Sequence, residues 1–404
     1  MFGNKSPWFY YFFTALTVIT WSLFSFSRHD FFLEHFEIFN SSQLALVATL
    51  FSLFFLLYCL LYTLPPLRRG AQWFILAVAI IATLTPPLLS RDAAGYLVGS
   101  NLLFSQQLNP YQHTLADEQG WSRYLGDLWW LDVPFSYGPT MLLITALPII
   151  FSFSNIFIAL LLFKFLILAT AIASFILFRN LRRQADLPES TDWLFICNPA
   201  LWINLLYEGH NEIFIIFLLL LFLTLQNRPL KASLTLVTAI FIKYIAIIFL
   251  PLTWFSQSRF SWRRFFTSSL IIGIAFFFFF VLIRVSPLDF ITRLVFFVSD
   301  SCFYKCSPLI SVFSSIKNYS LLIKTSVFLI AYAGTAYFFL FKKYSAAAFI
   351  FWSGLALFFI ETQWLTPWYP CLLIPFALLL PEKKYRLAVI LLTAYCLFHY
   401  LAWV

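Results

Sequence analysis

An all-α polytopic membrane protein is the fold class this sequence predicts, and three observations predict it. The 404 residues are 62% hydrophobic, 21% aromatic and only 11% charged, whereas soluble domains carry roughly a quarter charged residues. The apolar material falls into repeated blocks of about 18–25 residues, the length at which a helix crosses ~30 Å of hydrocarbon. Between the blocks, basic residues gather in short turns: "LRRG" (67–70), "FRNLRRQ" (178–184), "RFSWRR" (259–264), "FKKY" (341–344) and "EKKYR" (382–386). That is the positive-inside pattern of a cytoplasmic face. The alternating segments of an outer-membrane barrel are absent from the sequence. The net charge of +9 is dispersed over these turns, and no basic stretch is long enough for a nucleic-acid arm.

In chain order, blocks at 8–26, 43–64 and 71–89 read as spans. The first follows a weak basic region holding only Lys5 and has no small-x-small cleavage site, so it is read as a retained span. A polar interval at 90–135 is the longest on the chain and is expected to carry interfacial helices. Further blocks lie at 137–153, 155–178, 193–207, 211–226, 232–256, 265–284, 320–341, 345–361, 364–381 and 387–404. The expected total is about 11–13 crossings. This divides the chain into N-terminal spans (1–89), the loop 90–135, a membrane module (136–264) and C-terminal spans (265–404) with an outer loop at 285–319.

The basic turns place the N-terminus in the cytoplasm and the 90–135 loop outside. Counting back from "EKKYR" and "FKKY" places 285–319 and 362–369 outside as well. The two counts disagree by one crossing, so either 137–153 or 155–178 is expected to be short or re-entrant. Lys243 interrupts the block 232–256, which is read as two half-helices meeting near the outer leaflet at that lysine. Broken helices are tolerated at membrane depth only where they line protein or a water-filled cavity. No repeat relates the two halves of the chain.

Charge in or beside a span is costly, so these residues are the functional candidates. Asp92 leads them. If 92–106 is helical, Asp92, Gly95, Gly99 and Gln106 share one stripe, with Ala94, Leu97, Val98 and Leu102 on another. Such a helix would rest in the interface by its apolar side and offer a carboxylate beside bare backbone. The bland alternative is a helix cap or an interfacial Arg91–Asp92 pair. Trp121, Tyr124, Trp129 and Trp130 are read either as sugar-stacking rings or as an interfacial belt. Asp117, Glu118, Asp127 and Asp132 are read as solvated loop acids. Glu208, His210, Asn211 and Glu212 form a polar cluster inside apolar sequence; a His-x-Glu pair alone is poor zinc spacing. Neither a metal nor another cofactor is expected. Lys164 and Arg284 are read as snorkelling residues. Cys302 and Cys306 read as two ordinary thiols, paired only if they lie in an oxidising compartment.

Five stretches carry a family resemblance in order. They are "SRDAAGYLVGSNLLFSQQLNPY", "SYGPTMLLITALP", "NPALWINLLYEGHNEIFIIFLLLL", "AIFIKYIAIIFLP" and "QWLTPWY". Together they resemble the bacterial polyprenol-phosphomannose-dependent α-1,6-mannosyltransferases of lipomannan assembly, which belong to the GT-C superfamily of multispan glycosyltransferases. The resemblance covers residues 88–260, with a weaker echo at 361–375. This chain departs from the family at Glu212, where aspartate is usual, at Gly95, where the family has a larger residue, and at Asn109.

The resemblance implies an inverting sugar transfer, mannose foremost, from a polyprenyl-phosphate donor to a hydroxyl of a glycolipid or glycan. The reaction would occur at the outer face of the plasma (inner) membrane. Asp92 would be the general base, and Lys243, Arg91 and His210 would hold the donor phosphate. Tyr96, Tyr111, Tyr137, Asn211, Glu212, Gln363, Trp368 and Tyr369 fall on the matched motifs as substrate-binding positions. A polyprenyl-linked sugar flippase is the rival reading, though it would favour charges in both leaflets and an internal repeat. A structural membrane subunit is the third, and it would not need polar clusters converging on one face.

Overall fold

A computed structural model describes residues 8–28, 39–63, 70–125, 131–256, 259–284, 286–288, 320–341, 345–362 and 365–402. Cys302, Cys306, Asp127, Trp129, Trp130 and Gln363 lie outside the described residues. The fold is all-α, with one antiparallel pair of two-residue strands among the described residues, β1 (Phe255–Ser256) and β2 (Arg259–Phe260), where the chain enters the "RFSWRR" turn.

Three helices open the chain: α1 (Trp8–Ser27), α2 (Ser41–Leu61) and α3 (Ala71–Leu84). Asn40 caps α2 in a capping box with Gln43, which satisfies two otherwise orphaned donors. Residues 86–87 are both proline, so α3 stops and the chain bends at Leu88 and Leu89 before α4 (Asp92–Phe104).

α4 differs from the amphipathic interfacial helix expected. Residues 93–102 are buried on every side, because small residues let neighbours close around it. At Gly99 the stripe is packing rather than bare backbone: a Cβ there would overlap the Phe135 ring. Glu118, expected to be solvated, is buried as well. Its carboxylate accepts from Asn101 Nδ2 and Gln106 Nε2 at 2.8 Å and from the backbone N–H of Trp121 and Ser122 at 2.6 and 2.7 Å. This ties the loop to the end of α4. Asp117 and Asp132 are exposed, as read.

Of the blocks 137–153 and 155–178, the short one is the first: its helix α5 (Pro139–Ile150) has 12 residues and so spans only ~18 Å. It is followed by α6 (Ile156–Gln184), with 29 residues. Trp121 Nε1 in the loop before α5 donates to the carbonyl of Ser154 in the turn after it, at 3.3 Å. Both ends of α5 therefore meet the same loop, while α6 runs on to Arg182 and Arg183 in its last turn. Arg182 does not face solvent there. It is buried and grips Asp192 of α7 (Ser190–Ile196) through Nε and Nη2 at 3.0 and 3.1 Å.

α8 (Pro199–Leu201) is capped by Asn198 and passes into a π-helical turn, Trp202–Tyr207. α9 (Glu212–Thr224) packs against α6 on one side and α10 (Pro229–Ile240) on another. The block 232–256 is broken as expected: Lys243 is extended (φ −148°, ψ 120°) between α10 and a 3₁₀ segment, Tyr244–Trp254. α11 (Trp262–Ile283) and α12 (Ser320–Phe341) are apolar and exposed along most of their length. α13 (Ala346–Ala356) ends in a second π turn, Leu357–Glu361. After a 3₁₀ turn, Tyr369–Leu373, come α14 (Ile374–Leu378), α15 (Lys383–Phe398) and a last 3₁₀ turn, His399–Ala402.

Four helices among the described residues are long and apolar enough to cross a membrane unaided: Ser41–Leu61, Ile156–Gln184, Trp262–Leu282 and Lys324–Phe341. Several other apolar blocks resolve into helices of 10–17 residues, cut short by prolines and by π or 3₁₀ turns.

Candidate active site

Two buried charges hold the chain that leads into α4. The Glu208 carboxylate accepts from three successive backbone N–H groups, those of Leu88 (3.1 Å), Leu89 (2.8 Å) and Ser90 (3.0 Å). Consecutive amides form an anion-binding concavity of this kind. From the other side, Lys164 of α6 donates to the carbonyls of Ala82 and Thr85. Lys164 therefore does not snorkel; it is buried and caps the end of α3. The snorkelling reading of Arg284 gives way to an exposed left-handed C-cap of α11, whose carbonyl accepts from Gln112 Nε2.

Held in this way, Asp92 starts α4, with its backbone N–H donating to Ser90 Oγ at 3.1 Å. A helix N-terminus favours a negative charge there. Its side chain keeps 19% of its surface exposed, while Arg91 beside it is buried and reaches the Tyr124 carbonyl at 3.5 Å.

The second wall comes from the turn between the first π segment and α9. Gly209 has φ +76°, and a Cβ on it would stand 3.1 Å from Ala93 Cβ of α4. Only glycine meets both conditions, and the turn presses His210 toward Asp92. His210 Nδ1 lies 3.5 Å from Asp92 Oδ2. Its ring is fully buried and stacks on Trp368, with centroids 4.0 Å and planes 16° apart. Nε2 faces the Tyr400 hydroxyl at 3.4 Å, and that hydroxyl donates to Asn204 Oδ1 at 2.8 Å.

Lys243 forms the third wall. The N-terminus of α5 docks on the helix break beside it: Gly138 N–H donates to the Ile242 carbonyl at 3.2 Å and Thr140 N–H to that of Phe241 at 3.0 Å. Free helix-terminal donors thus meet free carbonyls. A Cβ on Gly138 would overlap the Phe241 carbonyl, so the close approach needs glycine. Lys243 Nζ donates to Glu212 Oε1 at 2.5 Å. It also lies over the Tyr369 ring at 3.9 Å and near that of Tyr137 at 5.8 Å, a cation–π arrangement. Tyr137 in turn packs edge-on to Tyr96, with centroids 4.8 Å apart.

Contacts thus join Asp92 with His210 and Trp368, and Lys243 with Glu212, Tyr369, Tyr137 and, through Tyr137, Tyr96. Lys243 is also within electrostatic reach of Asp92. Asn211, adjacent to both groups, is fully buried with neither its amide nitrogen nor its oxygen hydrogen-bonded. Glu212 Oε2 is likewise unsatisfied. Each such atom costs about 1–3 kcal/mol unless a ligand or water meets it.

Tyr111 stands behind this arrangement, its hydroxyl donating to the Tyr137 carbonyl at 3.0 Å. Trp121 and Tyr124 form neither an interfacial belt nor a sugar platform. Both are buried in the fold, Tyr124 edge-on to Phe157 of α6.

Three residues that sequence reasoning gave no role, Asn204, Glu208 and Tyr400, shape the site. Asn204 had a faint signal as the lone polar residue in "WINLLY". Glu208 was visible only as part of its cluster. Tyr400, in "FHYLAWV", had none, because a tyrosine near the end of an apolar block looks like any interfacial ring.

The family model described as "Alpha-(1->6)-mannopyranosyltransferase, N-terminal domain" matches residues 17–258, more than half of the chain. No curated protein and no solved structure matches. The matched region contains Asp92, Tyr137, the 208–212 turn and Lys243, and on this ground the chain belongs to the alpha-(1->6)-mannopyranosyltransferase family and is a membrane-embedded mannosyltransferase.

Proposed function

We propose that the protein moves mannose from a polyprenyl-phosphate donor to a hydroxyl of a glycolipid or glycan, with inversion, at the extracytoplasmic face of the membrane, as GT-C enzymes do. One observation carries this reading. A partly exposed carboxylate, Asp92, and a buried lysine, Lys243, flank a cluster of unsatisfied polar groups inside an apolar protein.

In the proposed reaction the acceptor oxygen attacks the anomeric carbon from the face opposite the phosphate. The new C–O bond forms as the bond to the phosphate oxygen breaks, and that oxygen keeps the electron pair. Sugar transfer passes through an oxocarbenium-like state. Asp92 takes the acceptor proton as general base. The departing polyprenyl phosphate gains negative charge, and a fixed cation in a water-poor site stabilises it. Lys243 supplies that cation, and Arg91, one residue before the base, is the second positive group. Asn211, with both a donor and an acceptor unspent, suits sugar hydroxyls. The Trp368 and Tyr369 rings close the site. His210 lies against Asp92.

A transfer assay in nanodiscs tests this, using polyprenyl-phosphate mannose and a membrane-lipid extract as acceptor. Wild type is expected to label the acceptor, with the product anomer inverted relative to the donor. Asp92→Asn is expected to lose about 10²–10⁴-fold in rate while its melting temperature holds. Full turnover in Asp92→Asn would remove Asp92 from the mechanism.

A further inference from the structure

We propose that His210 is the proton relay behind Asp92, and that Tyr400, held by Asn204, is the positioning residue that sets the tautomer this relay requires. The proposal rests on the reading of Asp92 as the base.

The tautomer follows from counting protons along a buried chain. Asn204 Nδ2 donates to the Ala200 carbonyl at 2.8 Å, which leaves Oδ1 as the acceptor turned toward Tyr400. A phenol has a single proton, and Tyr400 spends it on that oxygen. Toward His210 Nε2 it can then offer only a lone pair, at 3.4 Å. Nε2 therefore carries the imidazole hydrogen, and in the neutral ring Nδ1 is an acceptor. Nδ1 has no hydrogen bond of its own and stands 3.5 Å from Asp92 Oδ2. Full burial and the stack on Trp368 keep the ring in this orientation.

Two proton acceptors consequently face each other across a short gap. When the acceptor hydroxyl attacks, its proton passes to the Asp92 carboxylate and from there to His210 Nδ1. The ring then holds protons on both nitrogens, and Asp92 is again an anion. The imidazolium stays paired with that carboxylate until the product leaves and the proton escapes to water. The titratable groups around the ring are Asp92 of α4, Glu208 of the same turn and Tyr400 of the terminal 3₁₀ turn. The opposite tautomer would place an N–H against Asp92 and block the transfer. This gives His210 work as a neutral acceptor rather than as a cation for the donor phosphate.

The test is ¹⁵N NMR of the full-length protein in lipid bilayers, labelled at its five histidines, with His210 assigned by its loss in His210→Gln. Wild type is expected to show the Nε2–H tautomer. Tyr400→Phe removes the acceptor and is expected to populate Nδ1–H. Asn204→Leu, which turns the Tyr400 proton toward Nε2, is expected to do the same. In the transfer assay kcat is expected to fall about tenfold or more in both variants, with the donor KM unchanged. An Nδ1–H signal in wild type overturns the relay, and so does an unchanged tautomer and kcat in Tyr400→Phe. The spectrum needs no turnover. An Nε2–H wild type that transfers nothing from any lipid-phosphate sugar therefore strikes the base assignment, and the relay with it, while the tautomer stands.

Discussion

Lys243 holds its charge where an isolated ammonium would be prohibitively costly, and Glu212 at 2.5 Å explains how it is tolerated. The pair raises a question of role, since a lysine present only to neutralise Glu212 would look the same. Substitution separates the two. Lys243→Met leaves a fully buried carboxylate unpaired, which costs about 3–5 kcal/mol and should lower the melting temperature. Lys243→Met with Glu212→Gln removes both charges and should recover that stability. If Lys243 stabilises the donor phosphate, both forms lose about 10²–10³-fold in donor kcat/KM. Recovery of activity together with stability in the double variant would make Lys243 a structural counter-ion. Charges were the most legible residues in the sequence: Asp92, Lys243 and the 208–212 cluster each stood out as polar atoms in apolar surroundings. Glu118 was misread for the matching reason. In a stretch already rich in acids its burial leaves no trace, because the amides that hold it, at Trp121 and Ser122, come from the fold of the loop.

Between α3 and α4 the chain has no helix of its own, and Glu208 and Lys164 substitute for it. One binds the amides of 88–90 and the other the carbonyls of Ala82 and Thr85. Glu208→Gln keeps the shape but presents an amide NH₂ where an oxygen accepted. It should cost about 1–3 kcal/mol of stability and, by freeing Asp92 to move, lower kcat more than KM. Thermal melting and transfer kinetics on the same preparation check this; unchanged kcat with a lowered melting temperature would confine Glu208 to stability. The sequence predicted where the elements lie and that the 232–256 block breaks at Lys243, because length, proline and charge are local signals. It did not foresee that α4 is buried on all sides. Ala93, Ala94, Gly95, Gly99 and Ser100 read as a weak face in one dimension and as close packing in three. Nor did it reach Tyr400, which meets His210 across 190 positions of sequence.

At the scale of the molecule the apolar surface sets the solvent. Trp262, Phe266, Leu270, Phe277 and Leu282 of α11 are each more than 60% exposed, a face that water would not tolerate and lipid does. The proposed orientation in that lipid rests on α5 and α6. Because α5 returns to the loop it left, as the Trp121–Ser154 contact shows, only α6 separates this loop from Arg182 and Arg183. In the proposed orientation the positive-inside rule would put that basic end in the cytoplasm, with the loop extracytoplasmic and the active site where a lipid-borne donor would present its sugar. Cysteine labelling tests the arrangement after replacement of the six native cysteines. Ala116 and Gln184, both exposed, report the two ends. Ala116→Cys should react with a membrane-impermeant maleimide in spheroplasts, and Gln184→Cys only once the membrane is opened. Reaction of both from outside would mean that α6 does not cross. The reverse pattern would turn Asp92 toward the cytoplasm, where soluble nucleotide sugars are at hand, and remove the physical reason for a donor held in the bilayer.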